Sequence, residues 1–122
     1  MGYKSRVYGR NRRRSVVKLI TKEIMGKLKS NPRDNADNKP WLKLFNPAGS
    51  GTWLISEIKG DIMYGLCDLG HGSPELGSVS LKELESLKLP FGLKIERDMY
   101  FEPIKSLSEY AKEAREVRYI TS

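Results

Sequence analysis

Three carboxylates, Glu96, Asp98 and Glu102, fall two or four residues apart in the stretch PFGLKIERDMYFEP, with Tyr100 among them. In a strand alternate side chains share a face, so these four would stand together. Such a row could hold a hard cation or pair a general acid with a base. It is equally the pattern of the solvent side of a half-buried antiparallel strand, which is the simpler reading. The opposite face would carry Ile95, Arg97, Met99 and Phe101. An arginine among apolar neighbours needs a partner or a route to water, because an unpaired buried charge is costly. Glu57, Glu75 and Glu83 are candidate partners. A structural ion pair of Arg97 with Glu75 or Glu83, locking a helix to the sheet, is favoured over an anion site.

The other chemistry-bearing residues form no constellation. His71 is the single histidine and Cys67 the single cysteine. A His/Cys metal site needs three or four ligands, and one cysteine makes no internal disulfide. Cys67 lies in an apolar run and reads as a small buried hydrophobe. His71 lies in the turn-like GHGSP and reads as exposed. No G-x-S-x-G elbow occurs. The glycines of AGSGTW lead into a strand rather than a helix, so they cradle no phosphate. Trp41 and Trp53 sit in strand-like runs and are expected to pack in the core. Neither a metal nor a cofactor is expected, and a hydrolase is the least favoured class.

The elements around these residues follow from period and punctuation. Thr21 caps a short helix over about 22–29, with Ile20 stapled to Met25. WLKLFNP and TWLISEI read as strands joined by the turn NPAGSG. In the second, Trp53, Ile55 and Glu57 share one face and Thr52, Leu54, Ser56 and Ile58 the other. KGD at 59–61 marks a hairpin into IMYGLCDL, and GHGSP leads to the short strand ELGSVS. Ser80 and Glu83 form a capping box for a helix in SLKELESLKL. A fifth strand is expected over about 94–101. Ser106 and Glu109 form a second box, ahead of a helix with Leu107, Tyr110, Ala114 and Val117 on its stripe. The expected fold class is α+β. It has a single antiparallel sheet of about five strands in a meander, with an N-terminal helix, a helix before the last strand and a C-terminal helix.

Charge is placed unevenly. The chain has 122 residues with 22 basic and 15 acidic side chains. Residues 1–18 hold seven of the basic ones and no acid, which leaves 15 of each sign in the rest. The formal excess of +7 therefore belongs to the N-terminal segment alone. Residues 1–17 read as a basic, flexible arm without apolar period, residues 18–103 as the core domain, and 104–122 as a C-terminal helical extension. Lys4, Arg6, Arg10, Arg12, Arg13, Arg14 and Lys18 are candidate phosphate contacts, with Tyr3 and Tyr8 as stacking partners for bases. No apolar run reaches the roughly 18 residues of a membrane span, and no signal core follows the basic start.

KLITKEI, TWLISEI and the run from Tyr64 to Pro103, above all ELG, SLKELES and IERDMYFEP, resemble a small bacterial family known as domain of unknown function 2958. The resemblance covers about residues 18–103. It implies a mobile-element setting, on phages, plasmids and integrative elements, sometimes beside antirestriction proteins, in the bacterial cytoplasm. It carries over no catalytic residue. Both the arm and the C-terminal helix exceed the part that resembles the family. The expectation is a small non-enzymatic protein that contacts nucleic acid or a nucleoprotein complex through its arm. The alternative is a protein-directed inhibitor of a host defence system, of antirestriction or anti-CRISPR type, acting through an exposed face of the core.

Overall fold

The computed structural model describes residues 19–33, 35 and 37–122. In chain order the elements are α1 (Lys22–Ser30), β1 (Leu42–Phe45), β2 (Thr52–Lys59), β3 (Ile62–Asp68), β4 (Glu75–Ser80), α2 (Leu81–Ser86), β5 (Glu96–Arg97) and α3 (Leu107–Val117). The strands form one antiparallel sheet in the order β4-β3-β2-β1-β5. The fold is therefore α+β, with five strands and helices before, between and after them. The first four strands are a meander. The fifth is not its continuation, because the chain crosses back through α2 and a short 3-10 turn at Pro90–Gly92 to pair with β1 at the far edge.

Local chemistry accounts for most boundaries. Thr21 caps α1 by accepting the Ile24 amide at 3.1 Å, and Ile20 and Met25 both join the core beside it. Asn46 organises the β1–β2 turn, its side-chain oxygen accepting from the Ala48 amide at 2.8 Å. Gly60 supplies the positive φ (59°) of the two-residue loop between β2 and β3. Ser80 accepts the Glu83 amide at 3.2 Å, as expected. The carboxylate that completes this cap is Asp61 from the preceding hairpin rather than Glu83. Asp61 accepts from the Ser80 hydroxyl and, at 2.8 Å, from the Lys82 amide. The second capping box, Ser106 with Glu109, is complete.

Two hydrophobic clusters lie on opposite faces of the sheet. On one, Leu42, Leu44, Trp53, Ile55 and Met63 meet Leu28 of α1 and Leu84 of α2. On the other, Leu54 and Leu66 meet Leu107, Tyr110, Ala111 and Ala114 of α3. The C-terminal helix is thus part of the core and not an appended extension. Without it the second sheet face would be bare. Its buried stripe runs through Ala111 and Ala114, while Val117, expected on that stripe, is exposed. Trp53 is buried and Trp41 half-buried, both packed in the first cluster.

Alternation fails at two places. A β-bulge shifts the β2–β3 register between Ile55 and Glu57, so Ile58 joins the face of Trp53 and Ile55 instead of the opposite one. Glu57 is buried there and accepts from the Asn35 amide and the Asn38 side chain, both at 3.4 Å. The fifth strand pairs over two residues, not eight. It stops because Asp98 turns the chain. The Asp98 amide still donates to the Lys43 carbonyl at 2.9 Å, but its side chain accepts from the Tyr100 amide at 2.9 Å and its carbonyl from the Phe101 amide at 3.3 Å.

Candidate functional site

The turn at Asp98 shapes the most distinctive surface of the molecule. Ile95 is buried in the first cluster and Phe101 packs in the second, its ring 6.2 Å from that of Tyr110. Between these two anchors Met99 and Tyr100 are pushed outward, 71% and 89% exposed. The Asp98 hydrogen bonds fix the backbone that presents them. On one side of Tyr100 lies a hollow of about 510 Å³ lined by Lys43, Phe45, Thr52, Glu96, Arg97 and Asp98. On its other side lies a second, of about 330 Å³, lined by Glu102, Ile104, Lys105 and the chain end at Thr121 and Ser122. Asp98 and Tyr100 line both, so Tyr100 stands as a ridge between two depressions.

Charge in the first hollow is balanced. Lys43 lies 3.6 Å from Asp98, donates to the Ser122 carbonyl at 2.9 Å and stands 6.0 Å from the centre of the Phe101 ring. Arg97 donates from Nη1 to the Leu19 carbonyl at 2.7 Å. Two cations thus face two carboxylates, Glu96 and Asp98. In the second hollow Lys105 donates to Glu113 at 2.6 Å, and this pairing holds its ammonium pKa above the ordinary value.

The carboxylate row expected along a fifth strand does not form. Glu96 precedes the turn, Asp98 makes it, and Glu102 follows it, so the three do not share one strand face. Among the described residues no group of three His, Cys, Asp or Glu side chains is placed to hold a metal ion. Glu83, one expected partner of Arg97, lies on the helix that follows β4, and Glu75, another, lies on β4 itself, at the opposite edge of the sheet from β5. Three strands separate the two edges, a gap of roughly 19 Å, too wide for an ion pair. Arg97 donates to the backbone carbonyl of Leu19, the first described residue. Lys4, Arg6, Arg10, Arg12, Arg13, Arg14, Lys18, Tyr3 and Tyr8 lie outside the described residues.

Cys67 is half-buried, and burial pushes its thiol pKa up, which suits packing rather than nucleophilic chemistry. His71 is exposed in its turn. No helix among the described residues is long and apolar enough to cross a membrane. The sequence reading puts Tyr100 on a solvated strand face beside carboxylates; it is exposed, but on a turn made by Asp98 rather than on a strand. The available signal was the Asp98–Met99–Tyr100 order, since an aspartate whose side chain can accept the amide two residues on favours a turn.

A family model described as "Protein of unknown function (DUF2958)" matches residues 19–121. The match takes in α3 as well as the sheet, beyond the stretch ending at Pro103 that resembles the family by inspection. No curated protein and no solved structure matches the chain.

Proposed function

The chain belongs to the DUF2958 family, and we propose that this member is a non-enzymatic binding protein whose basic N-terminal residues contact nucleic acid. The observation that carries this reading is the charge distribution. Seven basic residues and no acid precede Leu19, while the remainder of the chain is formally neutral. Arginine and lysine at that density release counterions from a phosphate backbone, which is the main source of sequence-independent affinity. Leu19 is hydrogen-bonded by Arg97, at the edge of the sheet that displays Met99 and Tyr100. Leu19, which follows the cationic residues in sequence, is thus held by Arg97 of β5.

Removing residues 1–18 tests the reading. The cut leaves Leu19, Ile20 and the Thr21 cap in place, so the truncated protein is expected to keep its fold. It is expected to lose nearly all affinity for a labelled duplex and a labelled single strand at low salt. Truncated protein that binds as tightly as the full chain contradicts the proposal. If neither form binds, the inhibitor of a host defence protein becomes the leading reading.

A further inference from the structure

We infer that this chain pairs with a second copy of itself, each copy placing Phe91 in an apolar hollow of the other. No residue before Leu19 takes part, so the pairing is independent of the nucleic-acid reading. Phe91 is 95% exposed and its backbone is left-handed, with φ 64°. Glycine adopts that conformation freely, whereas phenylalanine adopts it only under strain. The turn that imposes it is fixed on both sides. The Leu93 amide donates to the Pro90 carbonyl at 3.3 Å, the Leu89 amide donates to the Leu93 carbonyl at 3.1 Å, and Leu89 and Ile95 pack in the first cluster. An ordered backbone therefore holds the ring out in water, and little freedom is lost when a partner covers it.

A place that suits the ring lies close by in the chain. Trp53, Cys67, Leu69, Val79, Leu84 and Leu87 line a hollow of about 490 Å³ between the sheet and α2. Gly65 and Gly77 face each other across β3 and β4, so the sheet carries no side chain between Cys67 and Val79. A Cβ on Gly77 would meet nothing within 4 Å. Leu69 and Leu87 are exposed as they line the hollow. A phenyl ring entering there covers apolar surface on both partners.

Charge selects the second copy as the occupant. Lys88 and Lys94 flank Phe91, both exposed and with no acid between them. Among the described residues Glu83 is the one charged side chain that lines the hollow, and exposed Glu75 pairs in the ladder with Cys67 beside it. None of these four has an ion-pair partner among the described residues. A basic knob thus meets an acidic hollow, and one chain carries both. Leu87 lines the hollow and Phe91 follows four residues later, within about 14 Å along the chain. A two-fold axis between knob and hollow satisfies both at once and closes the assembly at two copies.

Sedimentation equilibrium of the full-length chain over a range of concentrations is expected to show monomer and dimer. Phe91→Gly is expected to keep the fold, checked by circular dichroism, because glycine accepts the positive φ. It should raise the dimer dissociation constant at least about 30-fold, the scale of losing one buried aromatic anchor. Glu83→Lys should raise it less, by setting like charges against Lys88 and Lys94. Phe91→Cys, treated with oxidised glutathione, should give a disulfide-linked dimer in which peptide mapping joins position 91 to the partner subunit's Cys67. A chain that stays monomeric throughout overturns the pairing and leaves the hollow to a small apolar molecule or another protein. A dimer indifferent to Phe91→Gly, or one linked through position 91 of both copies, overturns it too, because the copies then meet elsewhere.

Discussion

At one edge of the sheet, β4 pairs with β3 over six residues and runs directly into α2. At the other, β5 pairs with β1 over two residues and turns outward at Asp98. The β4 edge is closed by a polar lock, in which Asp61 of the β2–β3 hairpin bonds both Ser80 and the Lys82 amide. Among the described residues the β5 edge has no such closure of its ladder. Its hydrogen bonds go instead to the chain's N-terminal side at Leu19 and to a turn that displays Met99 and Tyr100. One edge is finished for stability. The other leaves polar and aromatic groups at the surface, where a ligand can reach them. The difference follows from what comes after each strand. A serine-capped helix uses up the free backbone groups at the end of β4, whereas an aspartate turn after β5 satisfies its own amides and leaves the next side chains outside.

If the stability of the fold lies toward β3 and β4, the largest effect should come from the close approach between β3 and β2. A Cβ on Gly65 would stand 1.9 Å from the Leu54 carbonyl oxygen and 2.8 Å from the Ile55 Cα. Both are backbone atoms in the middle of the sheet, so neither can swing aside. Gly65→Ala is expected to destabilise by about 3 kcal/mol, the upper range for overpacking, as read from denaturant unfolding. A loss near zero would mean that the β2 bulge relaxes to admit the methyl group.

A smaller and pH-dependent loss is expected from Asp61→Asn. The Ser80 hydroxyl, then the Lys82 amide, hold the Asp61 carboxyl below the ordinary aspartate pKa. Its folded pKa is the lower one, so its contribution is complete above the unfolded pKa and is lost as pH falls through the folded value. Thermal unfolding from neutral to acid pH should therefore show a shallower acid decline in the variant than in the parent, and a lower melting temperature at neutral pH. Nucleic-acid binding should be unaffected, because the residue is at the other edge. Parallel acid declines in the two proteins would remove Asp61 from the lock.

Tyr100→Ala should have the smallest effect on stability, within about 0.5 kcal/mol, since the side chain is almost wholly exposed. A large fall in melting temperature for Tyr100→Ala would collapse the distinction between the edges.

Much of this was legible in the residues. Caps at Thr21, Ser80 and Ser106, the Gly60 hairpin and the meander of four strands all rest on interactions within a few positions, which a sequence carries openly. What escaped depends on distant partners. The bulge at Ile55–Glu57 reverses the face of Ile58, and no local pattern announces it. The fifth strand crosses to β1 rather than following β4, which puts Glu75 out of reach of Arg97. The burial of α3 depends on an open sheet face that only the assembled strands reveal. At the candidate site the seven cations were plain from composition, but the Tyr100 ridge needed Asp98 to turn, Phe101 to anchor and two hollows to flank it.

The most direct measurement is the slope of log affinity against log salt for full-length protein on a single strand and on a duplex. With seven cations before Leu19 and a formally neutral remainder, the slope is expected to reach at most about 5 in magnitude on the single strand and roughly 6 on the duplex. Removing residues 1–18 should bring both slopes close to zero. A steep slope that survives removal of residues 1–18 would contradict the account, since the phosphate contacts would then lie on the folded body.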